Sequence, residues 1–140
     1  MKEIVQDGAL VLREVAQPLP EELFGSADLK RLIDRMTVAL DRELEGVALA
    51  APQIGVSHRL FIVRVDRTVP PPKEQGRTLD TKPEIEIYCN PEIVKTSRKR
   101  ALADEGCLSV RGVYGTTNRH ERVTLRARRI DGSRFERGAR

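Results

Sequence analysis

The stretch SADLKRLIDRMTVALDRELEG, residues 26–46, decides the architecture. Leu29, Leu32, Ile33, Met36, Leu40 and Leu44 recur at steps of three and four residues, which places them on one face of a helix. Ser26 suits an N-cap, Asp28 stands where the positive end of the helix dipole favours an acid, and Gly46 is a natural stop. One long amphipathic helix is therefore predicted near the N-terminus, and core packing accounts for its whole apolar stripe.

Outward from that helix the period changes. Upstream, residues 4–15 read as extended chain with a turn at Asp7-Gly8, closed off by Pro18 and Pro20. Downstream, Leu60-Phe61-Ile62-Val63-Arg64-Val65 is a largely apolar run expected of a strand buried on both faces. Residues 66–83, with Pro70-Pro71-Pro72, read as a mobile loop. Ile85, Ile87 and Cys89 alternate with Glu84, Glu86 and Tyr88, as in a half-buried strand, and Val123, Leu125 and Ala127 alternate with arginines and Thr124 in the same way. Asp131-Gly132 is a hairpin signal, after which Phe135 begins a return strand. The order predicts a single α+β domain over residues 1–140: one long N-terminal helix with antiparallel or mixed sheets.

Composition narrows the classes. Hydrophobic residues make up 39% and charged residues 33%, as in ordinary soluble proteins. No stretch approaches the roughly 20 apolar residues of a membrane span, and the opening MKEIVQDGAL is no secretory leader, so a cytoplasmic protein without membrane contact is expected. Cys89 and Cys107 are too few for a disulfide framework and are expected to be free thiols. The net charge of +4 is uneven, since residues 119–140 hold eight arginines against Glu121, Asp131 and Glu136. A basic end fits nucleic acid or a ribosomal surface. These arginines interleave with apolar residues and lack aromatic stacking partners, so a solvated strand face is the plainer reading.

Two segments carry chemistry. The first is Gly46-Val47-Ala48-Leu49-Ala50-Ala51-Pro52-Gln53, whose small residues let backbone approach a ligand and whose Gln53 offers both an amide donor and an acceptor. The second is Glu105-Gly106-Cys107-Leu108-Ser109, where a cysteine after glycine on an accessible loop is a candidate nucleophile or metal ligand. Spacing alone leaves open that Cys107 is a small buried hydrophobe. Of the two histidines, His120 opens an H-E-x-x-x run without the second histidine of a zinc motif and falls where a strand is expected; His58 sits in a loop. Both read as surface histidines.

In this order the two segments resemble the peptide deformylase family, whose signatures are a G-x-G-x-A-A-x-Q loop, an E-G-C-L-S loop and a Q-H-E-x-D-H helix. The flanks agree: Leu12-Arg13 with Pro18, Asn90-Pro91-Glu92-Ile93-Val94, and Tyr114-Gly115 with Arg119. The resemblance implies hydrolytic removal of the formyl group from N-formylmethionyl nascent peptides. It implies that Gln53 and the backbone N–H of Leu108 hold the oxyanion, and that Gly46, Val47 and Ala48, with Glu105 and Gly106, face the peptide. It makes Cys107 one ligand of a divalent metal, typically iron, zinc or nickel, which the two helix histidines complete and on which the helix glutamate is the general base.

This chain departs from the pattern at Ala48, where the family keeps a glycine, and at Arg111, where many members have proline. The third signature is absent from these 140 residues. The expectation is an incomplete domain missing the central metal-binding helix, with no cofactor of its own and no activity as this chain; the alternative is a non-catalytic peptide- or ribosome-binding module. Apolar surface near Phe135, left without that helix, is expected to favour a homodimer.

Overall fold

The computed structural model describes residues 4–67 and 84–139, so most of the segment expected as a loop, residues 68–83, lies outside the described residues. The helix α1 runs from Ala27 to Asp41, and the Ser26 hydroxyl accepts from the Leu29 N–H at 3.1 Å, satisfying one of its free amides. Its apolar stripe is buried from Leu29 to Leu40, but Leu44 is 88% exposed. Past the end of α1 the Gly46 N–H donates to Glu43 O (3.0 Å) in a turn that contains Leu44, and the Arg67 guanidinium takes the carbonyls of Glu43 (2.5 Å) and Gly46 (2.7 Å), which holds that turn off the helical path.

Seven strands follow: β1 (Ala48–Ala50), β2 (Leu60–Arg64), β3 (Ile85–Thr96), β4 (Arg100–Cys107), β5 (Val110–His120), β6 (Val123–Arg128) and β7 (Arg134–Ala139). They form a five-stranded sheet in the order β1-β2-β3-β6-β7 and a separate β4–β5 hairpin. All named pairs are antiparallel; the parallel contact is the isolated bridge between Gln17 and His58. The α+β reading holds, with antiparallel rather than mixed sheets.

The core lies between α1 and one face of the five-stranded sheet, where Leu29, Ile33, Met36 and Leu40 pack with Leu49, Ile54, Leu60, Ile62 and Cys89. β2 is buried on one face, not two: Leu60 and Ile62 are covered, whereas Phe61 and Val63 are half-buried. On that second face Phe61 stacks on Tyr88 at 4.6 Å, and Tyr88 meets Phe135 at 5.5 Å. Phe135 is thus half-buried; the large apolar side chains that lie bare on the strands include Ile93 of β3 and Leu102, Val113 and Tyr114 of the hairpin.

Arg64 is 6% exposed, an unusual place for a cation. Asp66 holds it with two bonds (2.9 and 2.7 Å) and Asp41 with a third (2.5 Å), which ties the end of α1 to the end of β2. β3 bends at Asn90-Pro91, where register shifts interrupt its pairing with β6. Asn90 has a φ of +49°, a conformation asparagine tolerates, and its side chain exchanges two bonds with the Leu19 backbone (2.7 and 3.2 Å). The N-terminal segment is anchored to the sheet there.

Candidate active-site cleft

Residues 46–53, expected as a loop, split into edge strand β1 and a short 3₁₀ turn over Ala51–Ile54. The turn places Gln53 back over the strand it has just left, and its Oε1 accepts from the Ala50 N–H at 3.0 Å. Residues 105–109 are not a free loop either. Glu105, Gly106 and Cys107 complete β4, and Leu108 and Ser109 form the reversal into β5. Strand pairing fixes Glu105 opposite Gly115 and Gly106 opposite Tyr114, with a register shift just before Cys107 pairs Val110.

The two segments meet at Gln53. Its Nε2 donates to Ser109 Oγ at 3.1 Å and lies 3.8 Å from Cys107 Sγ. Ser109 is 3% exposed and Cys107 is exposed, so the carboxamide spans from the interior to the open cleft. The N-terminal segment stitches both motifs from behind. Val5 N–H donates to Gln53 O (2.7 Å), Asp7 N–H to Ser109 O (2.7 Å), and Gln6 Nε2 to Leu108 O (2.9 Å). Nothing in the local sequence around Gln6 signals this; it follows from the tertiary path alone.

Between β1 and the hairpin lies an open cleft of about 890 Å³ that includes Gly46, Val47, Ala48, Glu105, Gly106, Cys107 and Leu108 in its lining. Gln53 stands behind Cys107 rather than on the wall. Gly46 is tightly enclosed: a Cβ there would lie 2.9 Å from Leu40 Cδ1 and 3.1 Å from both Glu43 Cβ and Leu108 Cδ1, so these neighbours would have to shift. At Gly106 an added Cβ would sit 2.6 Å from Tyr114 Cε1, so the exposed Tyr114 ring would have to move off the strand. Ala48 is exposed, so its methyl faces the cleft without a clash.

Arg111, the departure noted in sequence, reaches across the mouth of the cleft to Glu43 with two bonds (3.1 and 2.6 Å), and holds the Glu43 carboxyl below its ordinary range. Tyr114 Oη donates to Glu45 at 3.1 Å in parallel with it. Glu105 is closed onto Arg119 (2.8 and 2.6 Å) and Thr117, and chiefly through the Arg119 bond its pKa falls to about 2. It is therefore an anion that orders the hairpin, not a proton acceptor.

The donor set does not fit a divalent metal. Among the described residues no three His, Cys, Asp or Glu side chains converge as a metal requires. His120 pairs with Arg100 at the far end of the hairpin, which at strand rise puts it about 23 Å from the Cys107 end. It is exposed, with Nδ1 against Ser97 O at 2.7 Å. His58 is half-buried beside Gln17 rather than on the surface, and its Nδ1 is covered without a hydrogen-bond partner. No helix among the described residues is long and apolar enough to cross a membrane.

Known proteins bear on this cleft. The family described as Polypeptide deformylase matches residues 1–140. The chain is 34% identical to peptide deformylase 2 of Pseudomonas putida, over 99% of this chain and 74% of that protein. It is 39% identical to peptide deformylase of Levilactobacillus brevis, over 97% of this chain and 75% of that protein. With peptide deformylase 1A of tomato chloroplasts it shares 35% identity, but spans only 46% of that protein's length. Among solved structures, the Met-Ala-Ser-bound class I type b peptide deformylase of Acinetobacter baumannii superposes with a TM-score of 0.82 at 29% identity, covering 97% of this chain and 81% of that one. The Thermotoga maritima peptide deformylase gives 0.78 at 28% identity, covering 99% and 80%.

Proposed function

The chain belongs to the polypeptide deformylase family, and on that premise we propose that its cleft seats the N-terminus of a formylmethionyl peptide while these 140 residues alone do not hydrolyse it. The observation that carries the reading is the Gln53 carboxamide, which bonds Ser109 and stands beside Cys107. An amide nitrogen has two hydrogens; one bonds Ser109, and the other makes only a long 3.8 Å bond to Cys107 Sγ that a stronger acceptor in the cleft would replace. The second, together with the Leu108 N–H, would receive the formyl oxygen as negative charge develops on it. β1 is an edge strand, so an extended peptide adds beside Gly46, Val47 and Ala48 through backbone hydrogen bonds. Glu105 and Gly106 supply the opposite wall.

Cys107 is, in this reading, one ligand of a centre whose other donors are not among these residues. One thiol does not retain a divalent ion, and the absence of a positioned general base costs about 10²–10⁴ in rate. Labelled formyl-Met-Ala-Ser is expected to bind, and Gln53→Leu to weaken it up to about tenfold, the scale of one neutral hydrogen bond. Turnover is expected at reagent background. One metal per chain removed by Cys107→Ala, or turnover that survives metal-free purification, would contradict this. The alternative, a stand-alone peptide-binding module, differs in one outcome: a peptide carrying a Q-H-E-x-D-H helix leaves its melting temperature and metal content unchanged.

A further inference from the structure

The chain passes from the five-stranded sheet to the hairpin through Ser97–Lys99 and returns through Glu121-Arg122, and these two crossings are bonded into one corner. Ser97 N–H donates to Arg122 O (2.9 Å), Arg122 N–H to Ser97 Oγ (3.0 Å), Glu121 N–H to Lys99 O (2.8 Å) and Ser97 Oγ to Lys99 O (2.8 Å). On this braced backbone stand Lys95, Arg98, Lys99, Arg100 and Arg122, all exposed, against the single carboxylate of Glu121, which lies 3.7 Å from Lys99 Nζ. Five cations against one anion is an excess equal to the formal +4 of the entire chain, so the remaining residues sum to neutrality.

The distribution is selective. On β5, β6 and β7, Arg119, Arg126, Arg128 and Arg137 are each closed onto a carboxylate, from Glu105, Glu136, Glu21 and Glu86 respectively; Arg129 and Arg134, which are not, lie by the β6–β7 turn at the opposite end of that pair from the corner. Lys95, Arg98, Arg100 and Arg122 have no acidic side chain within ion-pair distance among the described residues. From this contrast we infer that the corner is a docking surface for double-helical nucleic acid, held through its phosphate backbone. Residues 95–100 and 120–122 contain no Phe, Tyr or Trp, and their one aromatic ring, His120, is tied by Nδ1 to Ser97 O at 2.7 Å, so they offer no row of rings on which single-stranded bases would stack. A backbone held by crossed hydrogen bonds presents the cations without a backbone ordering cost, and the exposed Thr96 adds a hydroxyl suited to phosphate oxygens. This inference is independent of the peptide reading of the cleft.

Fluorescence anisotropy with a 20-base-pair RNA duplex, its DNA counterpart and phosphatidylglycerol vesicles tests it. With four to five phosphates neutralised, the association constant is expected to fall about 150- to 500-fold between 50 and 200 mM salt. Arg98→Gln with Arg122→Gln should weaken duplex binding at least tenfold and flatten that salt dependence, whereas Arg35→Gln on α1 changes neither. Unchanged melting temperatures confirm that these exposed substitutions leave the fold intact. Preference for RNA or DNA identifies the source of the helix. Duplex binding that is absent at 50 mM salt, equal loss in the Arg35 variant, or vesicle binding tighter than duplex binding would overturn the inference.

Discussion

Cys89 and Cys107 sit in two differently built halves of the molecule. Cys89, in β3, is wholly buried under α1, and burial pushes its thiol up to about 11. Cys107, at the end of β4, is exposed. The five-stranded half is held by an apolar core that α1 closes. The hairpin is long and mostly exposed on both faces; apart from Leu108, which packs against the core, its attachments are mainly hydrogen bonds and ion pairs from Gln53, Gln6, Asp7, Glu43 and Glu45. The candidate site lies on the seam between them. A scaffold held by packing thus supplies β1 and Gln53, while a polar-bonded arm supplies Cys107 and Leu108. Stresses that act on charge or hydrogen bonding should move the arm before the scaffold.

The largest effect should come from the scaffold. Met36 is fully buried, and Met36→Ala is expected to cost about 2–5 kcal/mol through lost burial and the cavity left behind. Thermal melting checks the size, and alkylation locates it: Cys89 should react faster in proportion to the loss, because only opening of the core exposes it. If Cys89 stays inert while the melting temperature falls, the two halves are not built as described.

Gly46→Ala acts on the seam. The added methyl would press on Leu40, Glu43 and Leu108 together, an overpacking worth about 1–3 kcal/mol. Hydrogen exchange should accelerate in β1 and around Cys107 more than in β3. An effect confined to α1 would mean that the seam does not transmit it.

Much of this division is legible in the sequence. The stripe on α1, the alternation in β3 and β6, and the turn at Asp131-Gly132 are local patterns whose periods match the elements formed. The motifs at Gln53 and Cys107 mark the cleft because their order and spacing are specific. What could not be read is what crosses the chain. The turn past the end of α1 is held by Arg67, the coupling of both motifs depends on Gln6 and Val5, and the clasp over the cleft on Glu43 and Arg111. Each joins residues far apart in sequence, and no periodicity records a partner. Residues 46–53 and 105–109 read as loops because small residues and glycine dominate them; strand pairing overrode that preference at β1 and at the end of β4.

The smallest effect concerns pH. Glu105 has its folded pKa lowered to about 2 chiefly by its bond to Arg119, against an ordinary value near ~4.3 in the unfolded chain. Its contribution is therefore fully present above about pH 4.3 and is lost as pH falls through about 2. Because the pair is exposed to solvent, the change is expected as local loosening of the hairpin rather than global unfolding. Hydrogen exchange in β4 and β5, measured between pH 5 and pH 2.5 and corrected for intrinsic rates, should show it. Glu105→Gln should abolish that dependence on pH.

The claim that the seam binds a formylmethionyl peptide is tested most directly by a ¹⁵N NMR titration with formyl-Met-Ala-Ser and with the same peptide lacking its formyl group. The account predicts shifts centred on Gly46, Val47, Ala48, the Gln53 side-chain amide and the Leu108 N–H, with the Gln53 and Leu108 signals responding to the formylated peptide and far less to the other. Shifts that ignore the formyl group, or that leave Gln53 and Leu108 in place at saturation, would contradict it.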